Sequence, residues 1–417
     1  MMTTDLGACE WFVWDLRRSN LIDRGQLDQL ISDFLNQNPG AEPPALAEYL
    51  VQKGLLTAFQ AERVLQGKTQ GFVLGPFILK DALGVGSMGT VYRAESKTDG
   101  KEYAVKVLPR RSMWNVRIAR RKVRAFEACK HPSVVPFVDV GTSGGMHYLS
   151  WPLVEGRTLE TVVKEQGPLS VAQAIEYSLQ KLRGLQVVHE QALFHGLLKP
   201  SNLMLGSDNV VRILDFGIGC LLSETEGESL VDTMSTANSV NSGLDCASPE
   251  SIMDPTNLTA IGDQYSLGCV LYFFLSGQYP FPEGTAVEKM MAHKTKEPTP
   301  LRELNPNIPD ELIDIMEQVT EKRFESTPAV IDALQPFAGA ANQGGHQAPR
   351  PKPLADVSRH TPLPTSERKL PPLASTPAAP PAPAPVPAPS PTSQPAPPAA
   401  VPPVPGQPTY QQQPPQS

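Results

Sequence analysis

One segment of the chain carries residues suited to phosphoryl transfer but lacks a carboxylate. It reads FHGLLKPSNLMLG, residues 194–206, and includes Lys199 and Asn202. A lysine ammonium can neutralise a phosphate, and an asparagine side-chain oxygen can bind a magnesium ion. No Asp or Glu occurs between Glu190 and Asp208. The segment therefore offers groups that hold a phosphate and a metal, but none that accepts the proton of an attacking hydroxyl.

Further motifs point to a bound nucleotide. LGVGSMGTVYRAE places Gly84, Gly86 and Gly89 in G-x-G-x-x-G-x-V spacing, which lets a backbone approach phosphates closely. The strand-like TVYRAE argues against a dinucleotide-binding fold, because that fold needs a helix at this point. Lys106 lies in the strand-like YAVKVLP, and Asp215 begins the run Asp-Phe-Gly. After such a glycine loop, the lysine would reach phosphates and the aspartate could bind magnesium.

The elements that must position these motifs fall into three regions. Residues 1–70 show apolar residues at helical spacing, which predicts two or more short amphipathic helices in a small helical module. Residues 77–338 begin with strand-like runs and continue with longer helical ones, which predicts two lobes. Residues 339–417 hold more than half of the 44 prolines. That composition predicts a disordered tail with polyproline II character, either a spacer or a ligand for aromatic-grooved domains.

Composition excludes several classes of protein. The net charge is -7 and the pI is about 5.6, so no nucleic-acid partner is expected. No run of about 18 apolar residues occurs, so no membrane span is expected. The cysteines are odd in number and never have C-x-x-C spacing: Cys9, Cys129, Cys220, Cys246 and Cys269. They predict neither a zinc site nor a disulfide framework, and a reducing cytoplasm fits them best.

The order and spacing of the motifs resemble those of the eukaryotic-like serine/threonine protein kinases of bacteria, over residues 77–338. The preceding GLLTAFQAERVLQGKTQGFVLG is similar to the helical lead-in of planctomycete members. The resemblance implies an α+β, bilobal protein-kinase-like fold with a β-rich N-lobe, a helical C-lobe, and ATP with Mg²⁺ in the cleft between them. It implies these nucleotide-binding residues: Gly84, Val85, Gly86, Gly89, Val91, Ala104, Lys106, Val154, Asn202 and Asp215.

The resemblance also assigns more specific roles. Asn202 and Asp215 would be the metal ligands, and Lys199 would lie near the transferred phosphate. Asp263 would take a structural position in the C-lobe. Glu250 and Arg323 would do the same and would pair with each other.

The chain departs from the family in its catalytic loop. The family reads His-Arg-Asp-Leu-Lys-Pro-x-Asn, whereas this chain has Gly196 and Leu197 at the second and third positions. Gly196 replaces the arginine that binds a phosphorylated activation segment, which would span residues 219–247 here. Leu197 replaces the aspartate that orients the substrate hydroxyl and accepts its proton, and leucine can do neither.

A second departure concerns αC, the helix that the family places after the lysine strand. Lys122 stands where the family has the glutamate that pairs with Lys106, and residues 104–126 contain no Asp or Glu. Glu127 lies about 140° further around the helix, so Lys106 is expected to lack its usual partner. The same region is basic: Arg110, Arg111, Arg117, Arg120, Arg121, Lys122 and Arg124. This cluster is either a solvated helix face or a surface for an anionic partner.

The segment that would join the two lobes is also unusual. Trp151 stands near the gatekeeper position, and Pro152 after it has no N–H to donate. Val154 would still offer an N–H to adenine. Trp151 would either narrow the pocket behind the adenine or pack as a core indole.

Three hypotheses follow. The favoured one is a signalling pseudokinase or scaffold that binds Mg-ATP weakly and changes conformation. It would present a surface to a protein partner through the basic helix, the N-terminal helices or the proline-rich tail. The alternative is an active serine/threonine kinase, or another ATP-dependent transferase, with a rearranged site. The third is an interaction module that binds no nucleotide because Trp151 blocks the cleft.

Overall fold

The computed structural model describes residues 6–86, 89–108, 121, 124–216, 244–254 and 257–339. The chain divides into two units, residues 1–349 and 350–417, and every described residue belongs to the first. The expected roles of Lys122, most of the basic cluster, most of the activation segment and the proline-rich tail lie outside the described residues.

Four amphipathic helices open the described chain, which confirms the prediction from helical spacing. They are α1 (Glu10–Ser19), α2 (Arg24–Gln37), α3 (Pro43–Gln52) and α4 (Ala58–Leu65). Helix α2 begins at Asp23, whose carboxylate accepts the backbone N–H groups of Gly25 and Gln26. Helix α4 begins with a capping box between Thr57 and Gln60. The inward faces of the helices share one apolar core that includes Phe12, Leu27, Ile31, Leu46, Leu50 and Val64.

An antiparallel sheet of six strands follows. Its strands are β1 (Val73–Leu74), β2 (Phe77–Gly86), β3 (Gly89–Ser96), β4 (Glu102–Val107), β5 (Asp139–Ser143) and β6 (Met146–Pro152). Their order across the sheet is β1-β2-β3-β4-β6-β5. The glycine-rich run forms the β2–β3 hairpin, in which Gly86 pairs with Gly89. Gly89 has φ of +133°, and a Cβ there would overlap the carbonyl oxygen of Val107, so only glycine fits.

Helix α4 packs against the sheet at that hairpin. The Gln60 side-chain amide is buried and donates to the carbonyl oxygen of Leu79 at 2.7 Å. The Thr57 hydroxyl donates to the neighbouring Lys80 carbonyl. The rings of Phe59 and Tyr92 lie 5.8 Å apart. The N-terminal helices are therefore joined to the two strands that carry the glycine-rich run.

The rest of the described chain is mainly helical and confirms the bilobal fold. Its helices are α5 (Leu159–Gln166), α6 (Val171–His189), α7 (Pro249–Met253), α8 (Ala260–Ser276), α9 (Ala286–Thr295), α10 (Leu301–Leu304), α11 (Asp310–Glu317) and α12 (Thr327–Leu334). A small antiparallel sheet joins β7 (Arg157–Thr158), β8 (Leu203–Leu205) and β9 (Val211–Ile213).

Helix α8 lies at the centre of this lobe, with every residue from Gly262 to Leu275 buried. Helix α6 packs in the same core, and its capping box joins Ser170 to Gln173. Gly277 ends α8 in the left-handed conformation, with φ of +78°. Within the described ranges, no helix combines the length and the apolar character needed to cross a bilayer.

Candidate functional site

A cleft of about 430 Å³ lies between the two lobes. Eight of the ten nucleotide-binding residues expected from the sequence line it: Gly84, Val85, Val91, Ala104, Lys106, Val154, Asn202 and Asp215. The other two, Gly86 and Gly89, pair with each other where the hairpin turns. A volume of this size is typical of sites for small molecules and cofactors. The fold thus brings together residues that are up to 131 positions apart in sequence, from Gly84 to Asp215.

An ion pair crosses the cleft. Lys106 Nζ lies 2.5 Å from Asp215 Oδ2, and the lysine side chain is only 4% exposed. Strand β4 holds Lys106 by pairing it with Val91 on one side and Leu149 on the other. Asp215 has φ of +61°, a left-handed conformation that aspartate tolerates better than most residues. Lys106 therefore has a carboxylate partner, although the helix position expected to supply one holds Lys122.

The catalytic loop is anchored by Asp263 of α8. Its carboxylate accepts the backbone N–H groups of His195 and Gly196, each at 2.8 Å, and it pairs with His189 Nε2 at 2.9 Å. Burial alone would raise the pKa of Asp263, but the hydrogen bonds and the nearby imidazoles hold it below its usual value. The structural position that the resemblance assigned to Asp263 is thus an anchor for the loop.

Replacing this anchor, in Asp263→Ala, is expected to lower the free energy of unfolding by about 3–5 kcal/mol, because two buried N–H groups and an imidazole lose their acceptor. Urea denaturation of the full chain measures the change. Asp310→Ala is the matched control, since its carboxylate is 64% exposed in a surface pair with Arg302. That control should change stability by less than about 1 kcal/mol. Equal effects of the two substitutions would contradict the anchoring role.

Leu197 lies at the position where the family has its proton acceptor. Its side chain is 9% exposed and belongs to the core of the C-lobe. Its backbone N–H donates to His195 Nδ1 at 3.2 Å, and its carbonyl accepts the Asn202 amide at 3.0 Å. Hydrogen bonds therefore fix the loop on both sides of an apolar side chain. These bonds hold the backbone of the loop in place, and Leu197 offers no acid.

Gly196 takes a conformation that suits glycine. Its φ is +73°, and a Cβ there would overlap the side chain of Leu258. A side chain at this position would meet both backbone strain and Leu258.

Lys199 is nearly buried beside the ion pair. Burial lowers the pKa of Lys199, and the charge of Lys106 lowers it further, while Asp215, Glu160 and Asp245 act in the opposite direction. Glu160 also lines the cleft, and the hydroxyl of Tyr279 donates to its Oε1 at 3.0 Å. The lysine therefore lies among carboxylates from three separate segments.

Glu160 and Tyr279 were not identified from the sequence. Glu160 lies two residues after Thr158, the N-cap residue of α5. A carboxylate in a first helical turn is ordinarily explained by its favourable interaction with the helix dipole. Tyr279 follows the end of α8 and shows no motif of its own. Only the folded chain brings the two side chains to the cleft.

Trp151 packs as the core indole that the sequence offered as one alternative. It pairs with Ala104 across β4 and β6 and contacts Phe137 with ring centroids 4.9 Å apart. Only 4% of the residue is exposed, and it also lines the cleft together with Pro152. The indole is thus a core residue that forms one wall of the cavity, and a cavity of about 430 Å³ remains beside it.

Asn202 and Asp215 present the chemistry expected for a magnesium site that is completed by phosphates. Asn202 donates its Nδ2 to the loop, which leaves its side-chain oxygen as the atom able to bind a cation. Asp215 uses Oδ2 toward Lys106. Within the described ranges, no three His, Cys, Asp or Glu side chains form a metal site by themselves. Magnesium often binds through one or two protein ligands plus phosphates, so the pair fits that ion.

The ion pair expected in the C-lobe is confirmed. Arg323 lies 3.7 Å from Glu250, and its guanidinium stacks over the ring of Tyr265 at 4.6 Å. Of the basic cluster, the described side chains are those of Arg121 and Arg124, and both are exposed.

Comparisons with known proteins agree with this geometry. The family model described as "Protein kinase domain" matches residues 77–336. Serine/threonine-protein kinase PknB of Mycolicibacterium smegmatis is 30% identical over 67% of this chain and 45% of its own length. A probable serine/threonine-protein kinase of Clostridium perfringens is 30% identical over 64% of this chain and 39% of its own length. This chain thus spans less than half the length of either relative.

A solved structure shares the fold. The structure of Rad53 1-466 in complex with AMP-PNP has a TM-score of 0.50 and 22% sequence identity, over 67% of this chain and 69% of that one. At this identity the likeness supports the fold alone. The family match covers well over half of the chain, from the first strand of the glycine hairpin to the last turn of the C-lobe. The chain therefore belongs to the protein kinase domain family, and the two bacterial relatives are described as a serine/threonine-protein kinase and a probable one.

Proposed function

We propose that this protein is a signalling pseudokinase that binds Mg-ATP weakly and has lost efficient phosphoryl transfer. The observation that carries the proposal is that Leu197 is buried and apolar, while Lys106 and Asp215 form an ion pair in the cleft. Phosphoryl transfer depends on positioning and on charge stabilisation, with an aspartate orienting the nucleophile. A site that keeps the phosphate and metal groups but lacks the proton acceptor favours binding over turnover.

The proposal gives each residue of the cleft a role. Lys106 and Lys199 would neutralise phosphate oxygens, and the side-chain oxygens of Asn202 and Asp215 would bind Mg²⁺. Val154 would offer its N–H to adenine, and the hairpin from Gly84 to Val91 would cover the phosphates. Mg²⁺, if bound there, would supply positive charge that competes with Lys106 for the Asp215 carboxylate. Mg-ATP would bind weakly because it must break the existing ion pair between Lys106 and Asp215.

Mg-ATP is expected to raise the melting temperature of the full chain, and Asp215→Ala is expected to abolish the part of the rise that requires magnesium. Ligand at about 100 times its Kd adds about 2.7 kcal/mol of stability. Thermal shift with ATP, with and without Mg²⁺, measures this effect. Phosphate transfer to the chain itself and to a general protein acceptor is followed in the same samples.

Asp208→Ala is the matched control, because Asp208 is 48% exposed and pairs with Arg212 outside the cleft. A magnesium-dependent rise without phosphate transfer supports the proposal. An unchanged melting temperature at saturating Mg-ATP would instead identify an interaction module that binds no nucleotide. Transfer that disappears in Asp215→Ala would establish an active enzyme.

The active enzyme is the second candidate, and Glu160 is the observation that favours it. Its carboxylate lines the cleft and interacts with Lys199, so it could replace the missing proton acceptor. Glu160→Gln keeps the size and removes the charge. If the enzyme is active through this residue, that variant should lose transfer by about 10²-fold or more, while its thermal shift with Mg-ATP persists.

The partner surface that we favour lies on the N-terminal helices, residues 1–70, which we take as a helical module. Trp11 and Trp14 of α1 are 47% and 57% exposed, and Arg18 stacks over Trp14 at 4.8 Å. Exposed tryptophan and arginine are typical of protein interfaces. Because the lead-in segment resembles that of planctomycete kinases, we expect those kinases to carry a similar helical module before the kinase domain. The basic region near Arg121 and the proline-rich tail remain alternative surfaces, and the reducing cytoplasm stays a prediction.

A further inference from the structure

A β-bulge interrupts strand β2 just before the glycine-rich run. Leu79 pairs with Ala94 and Asp81 pairs with Arg93, which leaves Lys80 as an extra residue in β2. A bulge takes a residue out of the ladder of hydrogen bonds and bends the strand that carries it. Because a backbone carbonyl needs a hydrogen-bond partner, the carbonyl at this bulge requires a donor from another element.

The opposite edge of β2 is open at the same place. Strand β1 pairs only with Phe77 and Ile78, and the N–H of Leu79 donates to the carbonyl of Phe72 at 2.8 Å. In the described part of the sheet, β2 has no further strand on that side, since β1 is the outermost strand. The carbonyl groups of Leu79 and Lys80 accept side chains of helix α4 instead. Helix α4 therefore takes over where β1 ends.

The two side chains that reach these carbonyls also form the cap of α4. Gln60 is 2% exposed, and its amide donates to the Leu79 carbonyl at 2.7 Å, while the Thr57 hydroxyl donates to the Lys80 carbonyl. In the capping box, Gln60 Oε1 accepts the Thr57 N–H at 2.9 Å, and Thr57 Oγ1 accepts the Gln60 N–H at 3.2 Å. The acceptor atoms thus start the helix, and the donor groups hold the strand.

Aromatic contacts hold the second strand of the hairpin. The ring of Phe59 lies 5.8 Å from that of Tyr92 on β3, the residue after Val91. The guanidinium of Arg63 lies over the rings of both Phe59 and Phe72, at 5.4 and 5.9 Å. Phe72 is 1% exposed and belongs to the core of the N-terminal helices. Helix α4 is therefore joined to both strands of the hairpin and to its own core.

We propose that Thr57 and Gln60 are positioning residues for the nucleotide cleft, which hold β2 at its bulge and so keep Gly84 and Val85 in place. These two residues line the cleft and follow the bulge by four and five positions. The inference rests on the proposed function, because the ligand concerned is Mg-ATP. A hairpin that is already held loses less conformational entropy when nucleotide binds, so the contact raises affinity.

The positioning segment lies outside the kinase domain itself. Thr57 and Gln60 precede residue 77, where the match to the family model begins, and none of the described residues that line the cleft belongs to α4. Coupling between two sites is reciprocal, so bound Mg-ATP must strengthen the contact by the factor by which the contact raises affinity. Mg-ATP should therefore slow hydrogen exchange of the α4 amides by about fivefold, the worth of one such hydrogen bond. A contact with only a structural role would not respond to nucleotide.

Thr57→Asp in the full chain separates the two functions of that side chain. An ionised aspartate still accepts the N–H of the cap but has no hydrogen to donate to the Lys80 carbonyl. The Kd for Mg-ATP, measured by isothermal titration calorimetry, should rise about fivefold. Exchange of the hairpin amides in the ligand-free chain should become faster, and Mg-ATP should no longer protect α4. Thr57→Ser keeps both groups and should behave as the wild type.

Ser170→Asp is the matched control, because Ser170 makes the same kind of capping box with Gln173 at the start of α6, in the C-lobe. That variant should keep the wild-type Kd and the wild-type exchange of the hairpin. Gln60→Glu is the second test, since it keeps the acceptor of the cap and removes the donor to Leu79. It should weaken Mg-ATP binding by about the same factor, whereas Gln173→Glu should not.

Equal Kd values and equal hairpin exchange in Thr57→Asp and Ser170→Asp would overturn the proposal, and so would tighter Mg-ATP binding by Thr57→Asp. If the wild type binds no Mg-ATP, the proposed function fails, and exchange in the ligand-free chains decides the anchoring role alone. Faster hairpin exchange in Thr57→Asp then supports that role, and equal exchange overturns it. Circular dichroism of each variant checks that its helices are intact, and Gln60→Glu carries the test if Thr57→Asp fails to fold.

Discussion

Leu197→Asp is expected to raise phosphoryl transfer by about 10²-fold over the wild-type chain, since a positioned proton acceptor contributes about that factor or more. The backbone at position 197 is already held by His195 and Asn202, so a carboxylate would enter a built loop. Single-turnover transfer from labelled Mg-ATP by the full chain measures the gain.

Leu197→Asn is the matched control, because it introduces the same shape without the negative charge. Both variants should keep the Mg-ATP thermal shift of the wild type. We expect the increase in transfer rate to lie at the low end of the range for general-base catalysis. Both variants keep Gly196 and still have no glutamate in residues 104–126. A Leu197→Asp variant that binds Mg-ATP but transfers no faster than Leu197→Asn would show that another part of the site limits the reaction.

The parts of the site that were predictable are those fixed by local sequence. The glycine hairpin, the strand of Lys106 and the Asp-Phe-Gly run each show a short pattern, and Gly84, Lys106 and Asp215 from these three patterns line the cleft. The Glu250–Arg323 pair followed from the resemblance, and the structure confirms it. The assignment of Leu197 to the proton-acceptor position also followed from the resemblance and stays a prediction. The amphipathic helices before residue 70 followed from their apolar spacing.

The parts that were missed depend on contacts between distant segments. Lys106 was expected to lack its usual helix glutamate, and the carboxylate that pairs with it instead, Asp215, is 109 positions away. Glu160 reaches Tyr279 across 119 positions. No periodicity or motif encodes such pairs, because they arise when separate elements pack.

Lys181 was also missed, although the sequence carried a signal. Ala174, Ser178, Lys181, Leu185 and Val188 follow a helical spacing of three and four, and all of them are buried. A charged residue on such a face is a cue for a buried ionisable group. The long side chain of lysine usually allows the opposite reading, in which the ammonium reaches solvent. Burial of the Nζ atom excludes that reading here.

Lys181→Met is expected to stabilise the folded chain by about 3 kcal/mol near and below pH 7, because it replaces a buried, unpaired cation by an apolar side chain of similar length. The folded-state pKa of Lys181 is about 7 against a usual 10.5, a difference that corresponds to at most about 5 kcal/mol. The rise in melting temperature should be about 6–10 °C. Calorimetry of both chains under reducing conditions measures it.

The pH dependence tests the cause of that stabilisation. The pKa of Lys181 is lower in the folded chain than in the unfolded chain, so the unfolded chain binds more protons between about pH 7 and 10.5. The free energy of unfolding of the wild type therefore rises as the pH increases through that window. The advantage of Lys181→Met should thus be full below pH 7 and should narrow as pH rises toward 10.5. Arg183→Met, which removes an exposed cation from the same helix, should change stability by less than about 0.5 kcal/mol at every pH. If the stability difference between Lys181→Met and the wild type did not depend on pH, it would arise from packing and not from the buried charge of Lys181.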